Sequence, residues 1–102
     1  MLFMWKVYEE MYPDIPPSRR KSLLGLVTAM DDVIGNVTET LKINGMYENS
    51  IIIFISDNGG LSVAGGGASN EPLKAGKSTL YEGGVRTPAF IHAPSLMNGK
   101  KG

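Results

Sequence analysis

The chain has 102 residues, with ten basic and ten acidic side chains and a formal net charge of zero, so no long-range field favours nucleic acid or an acidic membrane surface. Its 42% apolar content argues for a packed protein, and no run approaches the ~20 apolar residues of a membrane span. Zero cysteines exclude a disulfide framework and a thiolate metal site.

In chain order, Met1 to Lys6 is too short for the apolar segment of a signal peptide and has no cleavage pattern behind it. Tyr12-Pro13-Asp14-Ile15-Pro16-Pro17 contains three prolines, which fix φ and remove donors, so an extended surface connector is expected. Ser18 has the chemistry of an N-cap. The basic first turn that follows, Arg19, Arg20 and Lys21, has the wrong sign for the positive end of a helix dipole, and the helix is expected to begin a few residues later.

From about Arg20 to Asn44, Leu23, Leu26, Val27, Met30, Ile34, Val37 and Leu41 recur at three- and four-residue steps, the pattern of a long amphipathic helix packing on a sheet. Gly45 supplies its stop. Asp31 and Asp32 lie off the apolar face and, being adjacent, make a poor metal pair. Asn36-Val37-Thr38 satisfies the glycosylation sequon.

After a connection over Asn44 to Ser50, the five residues Ile51 to Ile55 favour a strand buried on both faces. Asp57 and Asn58 then stand at its carboxyl end, where open α/β sheets place their ligands. A carboxylate beside an amide carbonyl offers the hard oxygen donors that Ca²⁺ or Mg²⁺ takes. Asp-Asn-Gly-Gly is equally ordinary turn chemistry.

Gly59 to Gly76 is glycine-rich and is expected to be an exposed, adaptable loop, most plainly over Ala64 to Ser69. Gly76-Lys77-Ser78 invites a phosphate-loop reading, but the first glycine of that motif falls on Glu71, and Gly83, Gly84 and Pro88 leave no room for its helix. ATP and GTP binding are set aside on that ground. Glu82 and Arg86 are four apart, although the intervening glycines argue against a helical salt bridge. Pro88 to Ala93 reads as a further strand, with His92 a packed or surface histidine, and Asn98 to Gly102 is a polar end, as if cut from a longer domain.

Taken together, Ile51 to Gly60 and Leu73 to Phe90 resemble the type I sulfatases, most closely the arylsulfatase B-like (N-acetylgalactosamine-4-sulfatase-like) branch that acts on sulfated sugars. The resemblance runs from about Val7 to Gly102, so the chain reads as a partial catalytic domain (1–102) with a non-homologous start over 1–6. It implies an α/β fold, a fragment of an alkaline-phosphatase-like sandwich: the long helix, a buried strand, a Gly-rich active-site loop and a further strand. It also implies sulfuric ester hydrolysis, with Asp57 and Asn58 as ligands of one Ca²⁺ ion and Lys77 contacting the sulfate. Glu82 and Arg86 would brace that lysine, and the acidic residue at Asp31 would have a structural hydrogen-bonding role. The partners implied are sulfated carbohydrate or aryl sulfate, in a lysosomal or secreted setting where Asn36 could carry a glycan.

Set against the resemblance, the chain lacks the family's nucleophile, the N-terminal aspartate pair that would complete the cation shell, and the family's histidines. The formylglycine nucleophile arises from the first residue of Cys/Ser-x-Pro-x-Arg, and the near miss at Ile15-Pro16-Pro17-Ser18-Arg19 has isoleucine there. The chain alone is therefore expected to be inactive. Two alternatives stand beside the partial enzyme: a non-catalytic interaction or regulatory piece of a sulfatase, and a phosphate-ester metallohydrolase of the same superfamily, for which Asp-Asn in place of Asp-His is unfavourable.

Overall fold

A computed structural model describes residues 4–62 and 66–97. The expectations for Met1 to Phe3 and for Asn98 to Gly102, and part of that for Ala64 to Ser69, lie outside the described residues.

A short helix not anticipated from the sequence, α1 (Met4–Glu9), opens the described chain and packs on the long helix α2 (Arg19–Ile43). Their close approach rests on Gly25. A Cβ there would come within 3.1 Å of the Glu9 backbone nitrogen and 3.4 Å of the Tyr8 carbonyl carbon. The Pro-rich connector follows, anchored where the Tyr12 hydroxyl meets Thr28 Oγ1 at 2.5 Å. Thr28 Oγ1 donates in turn to the Leu24 carbonyl at 3.0 Å, so the phenol is the donor to Thr28.

Helix α2 begins at Arg19, earlier than its basic first turn suggested. The Ser18 side chain accepts from Lys21 N at 3.2 Å and so satisfies one of the free N–H groups, while Arg20 is directed sideways, its Nη1 donating to the Gly67 carbonyl at 3.3 Å. At the other end Gly45 adopts φ 66°, its N–H bonds to Lys42 O at 3.0 Å and that of Met46 to Leu41 O at 2.9 Å. This 5→2 and 6→1 pair is a Schellman motif, in the position where glycine avoids the Cβ penalty.

Asp31 and Asp32 are both exposed on α2. The Asp32 carboxylate, by hydrogen bonding and by its negative charge, raises the Tyr8 pKa above the usual 10.0. A phenol whose folded pKa is raised stabilises the folded chain fully below pH 10.0 and loses that contribution as pH rises through the raised value, when phenolate faces carboxylate. Thermal unfolding of wild type and Tyr8→Phe should therefore differ at neutral pH, with the difference vanishing in alkali. A constant difference throughout would contradict this.

A 3₁₀ turn, Tyr47–Asn49, leads to β1 (Ile52–Ile55), which pairs antiparallel with β2 (Ala89–His92) in a two-stranded sheet. In this register Phe54 opposes Phe90 and their rings stack at 5.3 Å, 12° from parallel. The Tyr47 hydroxyl lies 2.6 Å from His92 Nε2, so His92 is a half-buried packed residue, within the reading made from the sequence.

The expectation of a strand buried on both faces is corrected. Ile52 and Phe54 are half-buried, whereas Ile53 and Ile55 remain 65% and 67% exposed, because no described residues cover that face. Nor does α2 close on the sheet. Leu23, Ile34 and Leu41 are half-buried, but Leu26, Val27, Met30 and Val37 stay exposed, and an open groove of about 650 Å³ runs between Val27 and Met30 on the helix and Phe54, Ile55 and Pro88 on the sheet. Ala93 is the one buried apolar side chain among the described residues. The helix and strand order is as expected, but this chain supplies only part of an apolar core.

Candidate functional site

Beyond β1 the chain enters Ser56-Asp57-Asn58-Gly59-Gly60, and the ladder continues for one step as Ser56 N bonds to the Pro88 carbonyl at 3.2 Å. Ser56 Oγ donates to the Asn58 carbonyl at 3.0 Å, which tightens the turn. Asp57 is exposed beside the large groove and Asn58 is half-buried. Neither Asp57 nor the exposed Lys77 takes part in an ion pair among the described residues. Both charges therefore face solvent.

The turn is held from two sides by backbone. Gly59 N bonds to Gly84 O at 2.9 Å, and Lys77 N bonds to Gly60 O at 3.1 Å. Gly84 belongs to a single helical turn, α3 (Glu82–Val85), and the neighbouring Gly83 N bonds to Lys74 O at 2.8 Å. Gly76 O in turn accepts from Thr79 N at 3.1 Å and from Thr79 Oγ1 at 2.7 Å. The turn carrying Asp57 and Asn58, the loop carrying Lys77 and the turn of α3 thus form one hydrogen-bonded unit.

Glycine makes this possible for a reason opposite to the one read from the sequence. A Cβ on Gly59 would strike the Gly83 carbonyl, one on Gly83 the Ala75 carbonyl, and one on Gly84 the Thr79 carbonyl. Gly76, Gly83 and Gly84 are buried. At these positions glycine marks backbone packed on backbone, so the loop is close-packed at its ends, Gly59 and Gly76, while Leu61, Ser62, Glu71, Pro72 and Lys74 between them are exposed as expected. Gly67 likewise lies against Arg19 at the start of α2. Two residues flanking Gly76-Lys77 adopt left-handed backbone without being glycine, Ala75 at φ 62° and Ser78 at φ 72°. Such conformations persist only where the surroundings hold them.

The glycines of Glu82 to Arg86 do not prevent a helical ion pair. Arg86 Nη1 lies 3.8 Å from Glu82 Oε2 across α3, a correction to the sequence expectation. Both side chains are well exposed, so the pair adds little stability. It is the backbone of α3, at Gly83 and Gly84, that bonds to the loop before Lys77 and to the turn after β1. Asn36 is exposed on the middle of α2, and Thr38 Oγ1 of its sequon donates to the Ile34 carbonyl at 2.8 Å.

The donor set at Asp57 and Asn58 fits a hard divalent cation in kind, a carboxylate and an amide oxygen, but not in number, since Ca²⁺ takes roughly six to eight oxygens. Among the described residues no three His, Cys, Asp or Glu side chains gather as a metal cluster. No described helix is long and apolar enough to cross a membrane.

The family model described as Sulfatase matches residues 5–99. Arylsulfatase J of Mus musculus is 46% identical over 91 residues, which are 89% of this chain and 15% of that protein. N-acetylgalactosamine-6-sulfatase of Homo sapiens is 37% identical over 84 residues, 80% of this chain and 16% of that protein. The crystal structure of Ps i-CgsB in complex with k-i-k-neocarrahexaose superposes with a TM-score of 0.79 at 44% identity, covering 87% of this chain and 19% of the other. The stretch aligned is thus less than a fifth of each of these relatives. With the family model spanning nearly all of its length, the chain belongs to the sulfatase family.

Proposed function

We infer that the chain forms one wall of a sulfuric ester hydrolase site of the arylsulfatase B-like kind, with Asp57 and Asn58 on the cation side and Lys77 on the sulfate side. The observation that carries this reading is the bond from Lys77 N to Gly60 O, which fixes the lysine's loop to the turn holding the two oxygen donors. The Asp57 carboxylate and the Asn58 amide oxygen would hold the cation, taken to be Ca²⁺. When bound it neutralises charge on the sulfate. The Lys77 ammonium, exposed and outside any described ion pair, is free to contact a sulfate oxygen and stabilise charge that develops there. The backbone seam through Gly59 and Gly84 keeps the wall rigid. Glu82 and Arg86 lie at the two ends of α3, whose backbone braces the Lys77 loop, and their exposed ion pair adds little to that support.

The substrate class is a sulfated carbohydrate or aryl sulfate, and the setting is lysosomal or secreted, in keeping with a sequon at an exposed asparagine. The 102 residues hold no Cys or Ser at the head of a Cys/Ser-x-Pro-x-Arg motif, so they contain no formylglycine nucleophile. The chain by itself should therefore release no sulfate from an aryl sulfate, and measurable turnover that disappears in Lys77→Ala would show that another group replaces the nucleophile. The same gap favours a second reading, a non-catalytic piece that complements or competes with a complete sulfatase.

Calorimetric titration with Ca²⁺ tests the cation side. Weak, saturable binding that is abolished in Asp57→Ala is the expected result. Binding unchanged by that substitution would overturn the assignment of Asp57.

A further inference from the structure

The sequence singled out neither Asn70 nor any reason for it, yet its side chain is the strap of the candidate site. Its Oδ1 accepts from Gly60 N at 2.8 Å, and its Nδ2 donates both to Gly60 O at 2.8 Å and to Ala75 O at 3.0 Å. One carboxamide thus pairs with both backbone groups of Gly60, as a neighbouring strand would, and spends its remaining N–H on the loop two residues before Lys77. No N–H of the amide is left for a ligand.

Small neighbours let it approach. A Cβ on Gly76 would come within 2.5 Å of Asn70 Nδ2, and one on Gly60 within 3.1 Å of Asn70 Oδ1. The Gly60 carbonyl is the shared acceptor, since it also receives the Lys77 N–H at 3.1 Å. Ala75, whose carbonyl Asn70 binds, is held in the left-handed region at φ 62°, which sets the direction in which the chain enters Gly76-Lys77.

We propose that Asn70 is a positioning residue that couples the Asp57-Asn58 turn to the Lys77 loop, so that the cation side and the sulfate side of the wall move as one body. The coupling of two ligand sides rests on the functional reading above; the strap itself rests on the hydrogen bonds alone.

Amide hydrogen exchange on the intact 102-residue chain tests the strap. In Asn70→Ala the Gly60 and Lys77 amides should exchange at least about tenfold faster, while amides in the middle of α2 keep their wild-type rates. Asn70→Asp retains the acceptor for Gly60 N–H but loses both donations and sets an oxygen against two carbonyls. It should keep Gly60 within about threefold of wild type and still release Lys77 by about tenfold. Wild-type exchange at both amides in Asn70→Ala would overturn the proposal.

A second readout separates coupling from mere stabilisation. In wild type, Ca²⁺ should shift the amide resonances of Asp57, Asn58 and Lys77. In Asn70→Ala it should still shift the first two, with Lys77 silent. A Lys77 response that persists in the variant overturns the coupling. If Ca²⁺ moves none of these in wild type, the cation reading fails, and the exchange rates alone decide the role of Asn70.

Discussion

Gly59→Ala is expected to lower stability by about 2–3 kcal/mol, whereas Gly35→Ala in the same chain is expected to raise it by about 0.5–1 kcal/mol. The opposite signs follow from what each new methyl would meet. At Gly59 it would run into the Gly83 carbonyl, stand 2.8 Å from Gly83 C and reach within 3.2 Å of Gly84 Cα. Backbone cannot swing aside as the tip of a flexible side chain can, so the turn after β1 must part from α3 and give up the bond from Gly59 N to Gly84 O. At Gly35, in mid-helix, nothing lies within 4 Å of the added carbon, and the change simply reduces the conformational freedom of the unfolded chain. Urea unfolding of the two variants beside wild type checks both signs. Equal small effects would mean that the seam yields readily.

The same pair shows what was legible in the sequence. Periodicity and end signals describe a helix through contacts within a few residues, so Ser18, Gly45 and the apolar steps of α2 located it to within a residue or two. The glycine seam could not be read this way. A glycine that frees the chain and a glycine that lets backbone touch backbone are the same letter, and the partners of Gly59 and Gly76 lie many residues away. Asn70 was missed for a related reason, because an Asn in a polar loop is ordinary turn composition until its amide is seen bonded to Gly60, ten residues earlier. The Glu82–Arg86 pair went the other way. Helix propensity counts against two glycines, and tertiary packing of those glycines on the turn after β1 and on the loop before Lys77 outweighs it.

Burial was the least legible property. Five apolar residues in a row describe what a strand can bury, and nothing in the run says whether a second layer is there to do it. Of the candidate site, the place of Asp57 and Asn58 at a strand end was readable from residue type and order and Lys77 was named by the resemblance alone, while the bond that joins their loops passes through the Gly60 carbonyl and leaves no mark in composition.

The exposed face of β1 supports the other large expectation. The isolated chain should bind an apolar dye such as ANS strongly without denaturant, and replacing Ile53 and Ile55 together by lysine should remove a large part of that signal, about half, while changing stability by less than about 0.5 kcal/mol. Both isoleucines are about two-thirds exposed in the folded chain, so a lysine at either position leaves its ammonium in water and sacrifices little packing. The face one residue out of phase behaves differently. Phe54 is half-buried and stacked on Phe90 at 5.3 Å, so Phe54→Lys should cost about 2–4 kcal/mol and disrupt β1–β2 pairing. Side chains alternate across a strand, and adjacent substitutions thus report on opposite faces. Dye emission and urea unfolding of Ile53→Lys/Ile55→Lys and of Phe54→Lys make the comparison. If the double variant unfolded as readily as Phe54→Lys, the outer face of β1 would be covered in solution, and the exposed apolar surface would be that of α2, along Leu26, Val27, Met30 and Val37.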